Sequence, residues 1–239
     1  MTTTCWVLVL SLVSGLDGGA VSDGGMAKAP MSPEVKVIVD RVQAFYEVTR
    51  DFTAGFRQDY TYAASKRSKS SSGTVTYKKP AQMRWEYGAP SPRTFVLAGD
   101  RVYMHDPEAK LVTRAALATN QLSASVTFLW GQGKLAEEFA ITRKPCPECE
   151  VSPAHPRLSL VLELLPLKPD PRFKKVLLEV DQATAQVLKS TVIDPDGSVN
   201  AISFLDLKTN TGVGEKAFKL TPPPGTQVQD FLVPDAGAR

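Results

Sequence analysis

The sequence predicts a mainly β protein, in which short antiparallel strands form a sheet with one wet face and helices cover its apolar face. The central observation is residues 73–114, where apolar and polar residues alternate as they do in half-buried strands. Met83, Trp85 and Tyr87 share one side of such a strand, with Arg84 and Glu86 opposite. Turn residues separate the strand segments, at Lys79-Pro80, Ala89-Pro90, Ala98-Gly99-Asp100 and Asp106-Pro107.

Length and composition indicate one folded domain without a strongly charged partner. The chain has 239 residues and a formal net charge of +3, and its 18 prolines fall mostly between strand segments. Its basic residues are scattered except in the run Lys66-Arg67-Ser68-Lys69, which is typical of a solvated hairpin tip. We therefore expect a monomeric domain over residues 31–233, a tail over 234–239, and no nucleic-acid binding.

Residues 1–30 are predicted to be a secretory signal peptide with a Gly-rich leader. Residues 5–16 form an apolar run that is short for a membrane span, and the small residues Gly18-Gly19-Ala20 follow it, as at a cleavage site. No charged residue precedes the run. The pattern nevertheless favours export, and these residues are left out of the predicted fold.

Three cysteines are present, and Cys146 and Cys149 are the two that follow the signal segment. In an oxidising compartment their spacing within a Pro-rich loop predicts a disulfide. A redox site would need the start of a helix in a βαβ unit, and zinc would need ligands beyond His155. We therefore expect a structural disulfide, no metal and no cofactor.

An amphipathic helix is predicted to begin at Ser32-Pro33, with Ser32 as its N-cap, and to end near Asp51. The period then changes to two, and residues 65–72 are predicted to be the polar tip of a hairpin whose return strand covers Gly73 to Lys79. The residues on the apolar face of the predicted helix are Val35, Ile38, Val39, Val42, Phe45 and Tyr46. The residues that share one face of the first predicted strand are Phe52, Phe56, Tyr60 and Tyr62.

Two short helices are predicted to follow the central strands. In residues 120–130, Leu122, Val126 and Leu129 share one helical face, and glycines end the helix. A second helix is predicted over residues 134–139, with Leu135 and Phe139 turned the same way. We expect both helices to cover the open end of the sheet.

Strands are predicted to resume near residue 157 and to continue to residue 207. A hairpin turn is indicated at Asp194-Pro195-Asp196-Gly197, whose residues explain a turn without calcium. The alternation places on one face of one strand Leu158, Leu160, Leu162 and Leu164, and on one face of the next Val176, Leu178 and Val180.

The sequence offers little for catalysis. Its two histidines, His105 and His155, lie beside prolines in predicted turns. The common nucleophile, nucleotide and metal motifs do not occur. What the chain has in excess is apolar and aromatic strand surface together with amphipathic helices. That combination favours a container or a binding platform, and we expect no enzyme.

The chain resembles the periplasmic outer-membrane lipoprotein carrier (LolA) family over about residues 35–228. The likeness begins with the helix that precedes Phe52, Phe56 and Gln58, and no single motif decides it. The order and spacing of the following residues carry it: Gly73, Tyr77-Lys78-Lys79-Pro80, Met83-Arg84-Trp85-Glu86-Tyr87, Pro90, Gly99-Asp100, Val102-Tyr103, Asp106-Pro107, Leu129, Gly131, Leu135, Phe139, Asp194, Gly197, Phe204, Asn210, Phe218, Pro222-Pro223-Pro224-Gly225 and Val228.

The resemblance implies an incomplete, unclosed antiparallel β-barrel over residues 31–233, with an α-helical lid over an apolar cavity. It also implies carriage: an inner-membrane ABC transporter hands over a lipoprotein, the carrier shields its acyl chains in the periplasm, and an outer-membrane receptor takes them. No chemistry is done. The residues predicted to line the cavity and its lid are Val42, Tyr46, Phe56, Tyr77, Trp85, Leu122, Val126, Leu129, Leu160 and Leu162.

In the family, an Arg before Pro on this strand holds the empty form closed through hydrogen bonds to carbonyls of the lid. Lys79 stands at that position, and a lysine offers a flexible point charge in place of a planar fork. Lys79 is therefore either the lid latch or a solvated strand end. Tyr46 has a second interpretation as well, plain core packing.

Two related functions stay open at the level of sequence. The first is the outer-membrane receptor of the same fold, which would need a cysteine just after the apolar run, whereas Cys5 precedes it. The second is a module that senses or carries another lipid. Release of lipoproteins from membranes would separate the carrier from such a sensor, since both bind acyl chains.

Overall fold

The structure is a computed structural model and describes residues 31–116, 134–146, 149 and 158–231. Its helices are α1 (Pro33–Val48), α2 (Leu135–Glu138) and a 3-10 helix (Glu215–Phe218). Its strands are β1 (Asp51–Thr61), β2 (Ser68–Lys78), β3 (Gln82–Tyr87), β4 (Arg93–Ala98), β5 (Arg101–Asp106), β6 (Leu111–Ala116), β7 (Phe139–Lys144), β8 (Ser159–Pro166), β9 (Lys175–Asp181), β10 (Val187–Ile193), β11 (Val199–Thr209) and β12 (Gln227–Phe231).

In the described residues, all twelve strands belong to one sheet that does not close on itself. The strand order is β12-β6-β5-β4-β3-β2-β1-β11-β10-β9-β8-β7, so that β12 and β7 form its two edges. The pairs are antiparallel except for β12, which joins β6 in parallel. The predicted fold class, an unclosed antiparallel β-barrel with helices, is confirmed.

One seam joins two runs of sequential strands. The strands β1–β6 pair in chain order, as do β7–β11, and β1 joins the two runs by pairing with β11. The register runs from Phe52 opposite Thr209 to Thr61 opposite Val199, with a shift between Thr53 and Gly55. Such a shift bends the strand and increases its twist.

Cross-strand partners lie on the same face of a sheet, so the registers define one continuous inner face. In one direction a row of partners on this face runs from β1 to β5 through Phe52, Tyr77, Met83, Leu97 and Val102. In the other direction a row runs from β1 to β8 through Gln58, Ile202, Ser190, Leu178 and Leu162.

Helix α1 begins as its sequence predicts. The Ser32 hydroxyl accepts a hydrogen bond from the Val35 amide at 3.4 Å, and Pro33 occupies the first turn. The helix ends at Val48, before the predicted end near Asp51. The Thr49 hydroxyl donates to the Phe45 carbonyl at 2.7 Å, and the backbone of Thr49 is extended. The chain then turns directly into β1.

Three predictions about boundaries are wrong. Phe139 is the first residue of β7, and α2 stops at Glu138. The predicted hairpin tip is largely strand, because β2 begins at Ser68 and pairs with β1 over the full length of both strands. Leu158 precedes β8 and is 48% exposed, so it does not continue the buried row of that strand.

Asp51 fastens the junction of α1 and β1 to the loop after β11. Its carboxylate accepts hydrogen bonds from the Thr211 amide at 2.7 Å, the Thr211 hydroxyl at 3.0 Å and the Gly212 amide at 3.1 Å. Asn210 adds another link to the same residue, since its backbone amide donates to the Asp51 backbone carbonyl at 2.8 Å. This carboxylate therefore fixes one end of the seam.

Candidate functional site

The inner face carries two apolar clusters of described residues, and α1 belongs to only one of them. The helix-covered half comprises α1, α2 and the inner residues of β7–β10. The aromatic half comprises the inner residues of β1–β5. Phe204 of β11 is partly buried and touches both clusters, so the seam is also the boundary between them.

The helix-covered half is a buried core. From α1, Val39, Val42 and Tyr46 are buried against the leucines and valines of β8 and β9. The Tyr46 hydroxyl accepts a hydrogen bond from the Val187 amide at 3.2 Å. Burial raises the pKa of Tyr46 well above the ordinary value. A buried polar atom is thus satisfied inside the domain.

The aromatic half is built from rings that meet across strands. The Phe56 ring contacts those of Trp85 and Tyr87 edge to face, with centroids 4.8 and 4.9 Å apart. Gly73 permits this approach, because a Cβ there would lie 2.9 Å from the Phe56 ring and 1.9 Å from the Glu86 carbonyl oxygen. Trp85 and Tyr87 are only partly buried.

The Tyr77 side chain is fully enclosed in the aromatic half. It is 0% exposed, and its ring centroid is 5.0 Å from that of Phe52. Burial raises the pKa of the Tyr77 hydroxyl above its ordinary value. In the described part of the chain no group forms a hydrogen bond with this hydroxyl. The aromatic half is therefore mostly apolar, and it encloses the unpartnered Tyr77 hydroxyl.

A polar group borders the aromatic half along β1. The Gln58 amide nitrogen donates to the Asn200 side-chain oxygen at 2.9 Å, and the Tyr87 hydroxyl donates to the Gln58 side-chain oxygen at 3.1 Å. Further along the same strand face, the Tyr60 hydroxyl donates to the Asp194 carboxylate at 2.9 Å. These partners mark where the apolar surface of the inner face ends.

Lys79 connects the aromatic half to α1. Its ammonium donates to the carbonyls of Tyr46 at 2.9 Å and Glu47 at 2.7 Å, in the last turn of a helix that has no basic residue there. A cation at this end is favoured by the helix dipole. Burial lowers the pKa of Lys79, and the charge of Glu47 opposes that effect.

The neighbouring Lys78 lies on the opposite face of β2. Its ammonium donates to the Val213 carbonyl at 2.8 Å and lies 2.7 Å from the Glu215 carboxylate. Two adjacent lysines therefore hold different elements, and only Lys79 of this pair reaches α1. A latch role for Lys79 in lipid release stays a prediction.

The structure divides the predicted cavity residues between the two halves. Phe56, Tyr77 and Trp85 come together in the aromatic half. The lid residues Leu122, Val126 and Leu129 fall outside the described residues. The members that pack with α1 in the helix-covered half are Val42, Tyr46, Leu160 and Leu162.

The residues predicted from the sequence to line the cavity did not include those that β4 and β5 contribute to the aromatic half. Phe95, Leu97 and Val102 are buried there. Phe95 lies opposite the predicted residue Trp85 of β3, and Val102 lies opposite Leu97 of β4. The alternation in residues 93–106 was the signal that could have identified them.

Cys146 and Cys149 form a disulfide, with Cα atoms 5.2 Å apart. They follow β7 and belong to neither cluster.

A membrane-spanning helix is absent from the described residues. The same part of the chain contains no group of three or more potential metal-ligating side chains.

Comparison with known proteins identifies the family. The family model described as "Outer membrane lipoprotein carrier protein LolA" matches residues 47–221, which include β1–β11. The chain belongs to this family. The resemblance predicted from the sequence is confirmed.

Individual relatives agree with this assignment over most of the chain. An outer-membrane lipoprotein carrier protein of Dechloromonas aromatica (strain RCB) is 28% identical over 190 residues, which cover 80% of this chain and 86% of the relative. One of Chromohalobacter salexigens is 24% identical over 211 residues, covering 87% and 95%. An uncharacterized conserved protein from Thermus thermophilus has a crystal structure that matches with a TM-score of 0.51 at 14% identity, covering 82% and 99%, and supports the fold alone.

Proposed function

We propose that this protein is a periplasmic carrier of lipoproteins. It takes the acyl chains of a lipoprotein released by an inner-membrane ABC transporter, shields them from water, and passes them to an outer-membrane receptor. The proposal rests on the membership of the family and on the relatives that are named as lipoprotein carriers. Shielding requires no chemistry, because transfer is driven by differences in apolar burial.

The observation that supports the proposal most directly is the aromatic half of the inner face. Its side chains form an apolar surface on an unclosed sheet, and the cluster includes no described residue of α1. Each methylene removed from water contributes about 0.8 kcal/mol, so a surface of this kind can hold acyl chains that would not cross water alone. We place the acyl chains in this half.

A release assay tests the proposal. The purified protein is incubated with spheroplasts of a Gram-negative bacterium, and lipoproteins are measured in the soluble fraction. We expect lipoproteins to appear there in a complex with the protein. A Trp85→Glu variant should release none, because it introduces a charge where acyl chains would bind, and an unpaired buried charge is strongly unfavourable.

The matched control is Leu205→Glu. Leu205 is an apolar strand residue like Trp85, but it is 54% exposed at the β1–β11 register shift. This variant should release lipoproteins as the parent does, and circular dichroism should show both variants folded. Equal release by Trp85→Glu and Leu205→Glu would argue against acyl binding in the aromatic half.

The same assay separates the carrier from its two alternatives. A lipid sensor of this fold would bind acyl chains but leave lipoproteins in the spheroplast membrane. A receptor would accept lipoproteins only from a loaded carrier. Delivery is tested separately, by mixing the loaded protein with liposomes that bear an outer-membrane lipoprotein receptor and following transfer to the liposomes.

A further inference from the structure

Tyr46 and Tyr77 are both enclosed on the inner face, at 1% and 0% exposure, but their hydroxyls have different surroundings. The Tyr46 hydroxyl accepts a hydrogen bond from the Val187 amide. The Tyr77 hydroxyl has no such partner in the part of the chain that the structure describes. A buried hydroxyl without a hydrogen bond keeps the full penalty of its removal from water, so its presence calls for an explanation.

The described strand neighbours of Tyr77 are poor partners for a water molecule that would bind its hydroxyl. Its cross-strand partners on the two sides are Phe52 and Met83, and the same row continues with Leu97 and Val102. A water molecule is held inside a protein by two to four polar partners, and these side chains offer at most the weak acceptor sulfur of Met83. The described neighbours therefore leave the hydroxyl available to a polar group that arrives with an apolar ligand.

We propose that the Tyr77 hydroxyl donates a hydrogen bond to the carbonyl oxygen of an acyl linkage in the bound lipoprotein. This inference rests on the proposed function and specifies its ligand. An acyl chain brings a carbonyl acceptor next to its hydrocarbon, as part of the ester or amide at its root. Tyr77 thereby distinguishes acyl chains from alkyl chains of equal length, since the alkyl analogue leaves the donor unpaired.

The chemical state of Tyr77 agrees with a donor role. Burial raises the pKa of its hydroxyl, so the phenol keeps its proton across the physiological range. A free carboxylate or phosphate would have to enter an apolar row without a charged partner, because Lys79, two residues further along the chain, is engaged with α1. A neutral carbonyl carries no such penalty.

The test compares neutral synthetic acyl linkages with alkyl analogues that lack the carbonyl. One probe carries two palmitoyl esters on a glyceryl-cysteine peptide, and its analogue carries two hexadecyl ethers. A second pair compares an N-palmitoyl peptide with an uncharged analogue in which an alkene replaces the palmitoyl amide, because an N-hexadecyl amine would carry a positive charge. Binding to the purified protein is measured by displacement of a fluorescent fatty acid. We expect at least one acyl probe to bind about fivefold more tightly than its alkyl partner, as one added hydrogen bond would give.

The Tyr77→Phe variant should lose this preference and bind both members of the pair as the parent binds the alkyl probe. The pair that shows the effect identifies the acceptor as the ester or the amide carbonyl. The matched control is Tyr60→Phe, whose hydroxyl already has a partner in Asp194. It should keep the parental preference.

Thermal unfolding of the empty protein supplies a second readout. Tyr77→Phe should melt at the parental temperature or above it, because no bond within the protein is lost, whereas Tyr60→Phe should melt lower. A lower melting temperature for Tyr77→Phe would overturn the inference. So would equal binding of acyl and alkyl probes by the parent, which would leave the carrier function standing. Failure to bind any of the probes would overturn both.

Discussion

The helix-covered half and the aromatic half of the inner face are built from the same alternation of residues, but they complete their packing differently. In the first half, α1 supplies the missing side chains, and the Tyr46 hydroxyl bonds within the domain. In the second half, aromatic rings lie against one another, and the Tyr77 hydroxyl is left over. We infer that the half completed by α1 mainly contributes stability, and that the half with an unsatisfied group binds the ligand of the proposed function.

The largest effect is expected from Gly73→Ala, which disrupts the aromatic half. The added Cβ would lie 1.9 Å from the Glu86 carbonyl oxygen, so β2 and β3 would have to separate. We expect a loss of about 4 kcal/mol in the free energy of unfolding, measured by urea titration.

The matched control for this change is Gly55→Ala on β1. Its Cβ would meet nothing nearer than the Leu205 Cβ at 3.4 Å. That variant should lie within about 1 kcal/mol of the parent. If the two alanine variants were equally stable, the close packing around Gly73 would have no energetic consequence.

The second prediction sets one half against the other. Leu162→Ala removes a fully buried side chain from the helix-covered half and should cost about 3 kcal/mol of stability. Folded molecules of this variant should still bind lipopeptide with parental affinity. Trp85→Ala, in the aromatic half, should cost less stability because Trp85 is partly exposed, but should weaken binding. Reversed effects would mean that the acyl chains bind under α1.

The third prediction concerns the link between the halves. Lys79→Leu removes both hydrogen bonds to the last turn of α1, and we expect a loss of about 1–2 kcal/mol of stability. The loaded variant should surrender lipoprotein poorly to receptor-bearing liposomes, since closure of the empty state no longer favours release. Lys79→Arg should release as the parent does or more completely.

Lys78→Leu is the control for the latch. It removes the adjacent lysine, the last residue of β2, which contacts Val213 and Glu215 and does not reach α1. Its release should be parental. If Lys79→Leu released lipoprotein as well as Lys78→Leu does, Lys79 would be a supporting contact with no part in transfer.

The smallest effect is a pH dependence at the end of the seam. Burial alone would raise the pKa of Asp51, but hydrogen bonds from Thr211, Gly212 and Val213 outweigh it and hold the pKa below the ordinary 3.8. The lowered pKa means that the carboxylate stabilises the fold fully above the ordinary value. This contribution is lost as the pH falls through the lowered value.

Asp51→Asn should therefore be less stable than the parent at pH 7, by about 1 kcal/mol, and lose less stability on acidification. Urea titrations at pH 7 and at about pH 3 measure both quantities. Parallel loss of stability by the two proteins would exclude Asp51 as a contributor to the acid sensitivity of the fold.

The sequence predicted faces better than boundaries. The placement of Met83, Trp85 and Tyr87 on one side followed from a period of two, which the pleat of a strand imposes. Phe139 was misassigned because a spacing of four from Leu135 fits a helical face, while both residues are buried in the same cluster. Local spacing could not decide between a helix and the start of β7.

Two features had no local signal. Strand β12 is exposed throughout, and it is held by its parallel pairing with β6 and by the contact of Arg114 with Asp230. The pattern of apolar residues in this segment therefore did not predict a strand. The division of the inner face into two halves depends on where α1 lies, and the alternation of residues predicts which face is buried without predicting what covers it. The unpartnered hydroxyl of Tyr77 likewise depends on the tertiary structure.

The seam between β1 and β11 has a consequence for the order in which the chain folds. As the chain folds from its amino terminus, β1 can pair with β2 at once, but its other edge stays unpaired until β11 is available. Gln58 and Asn200, which are hydrogen-bonded across this seam, are 142 residues apart. Until then, the nascent β1–β6 sheet presents an open edge and the uncovered rings of Phe52 and Phe56, a surface that favours association with other chains. We expect closing this seam to be a late and slow step, because long-range pairing requires costly loop closure.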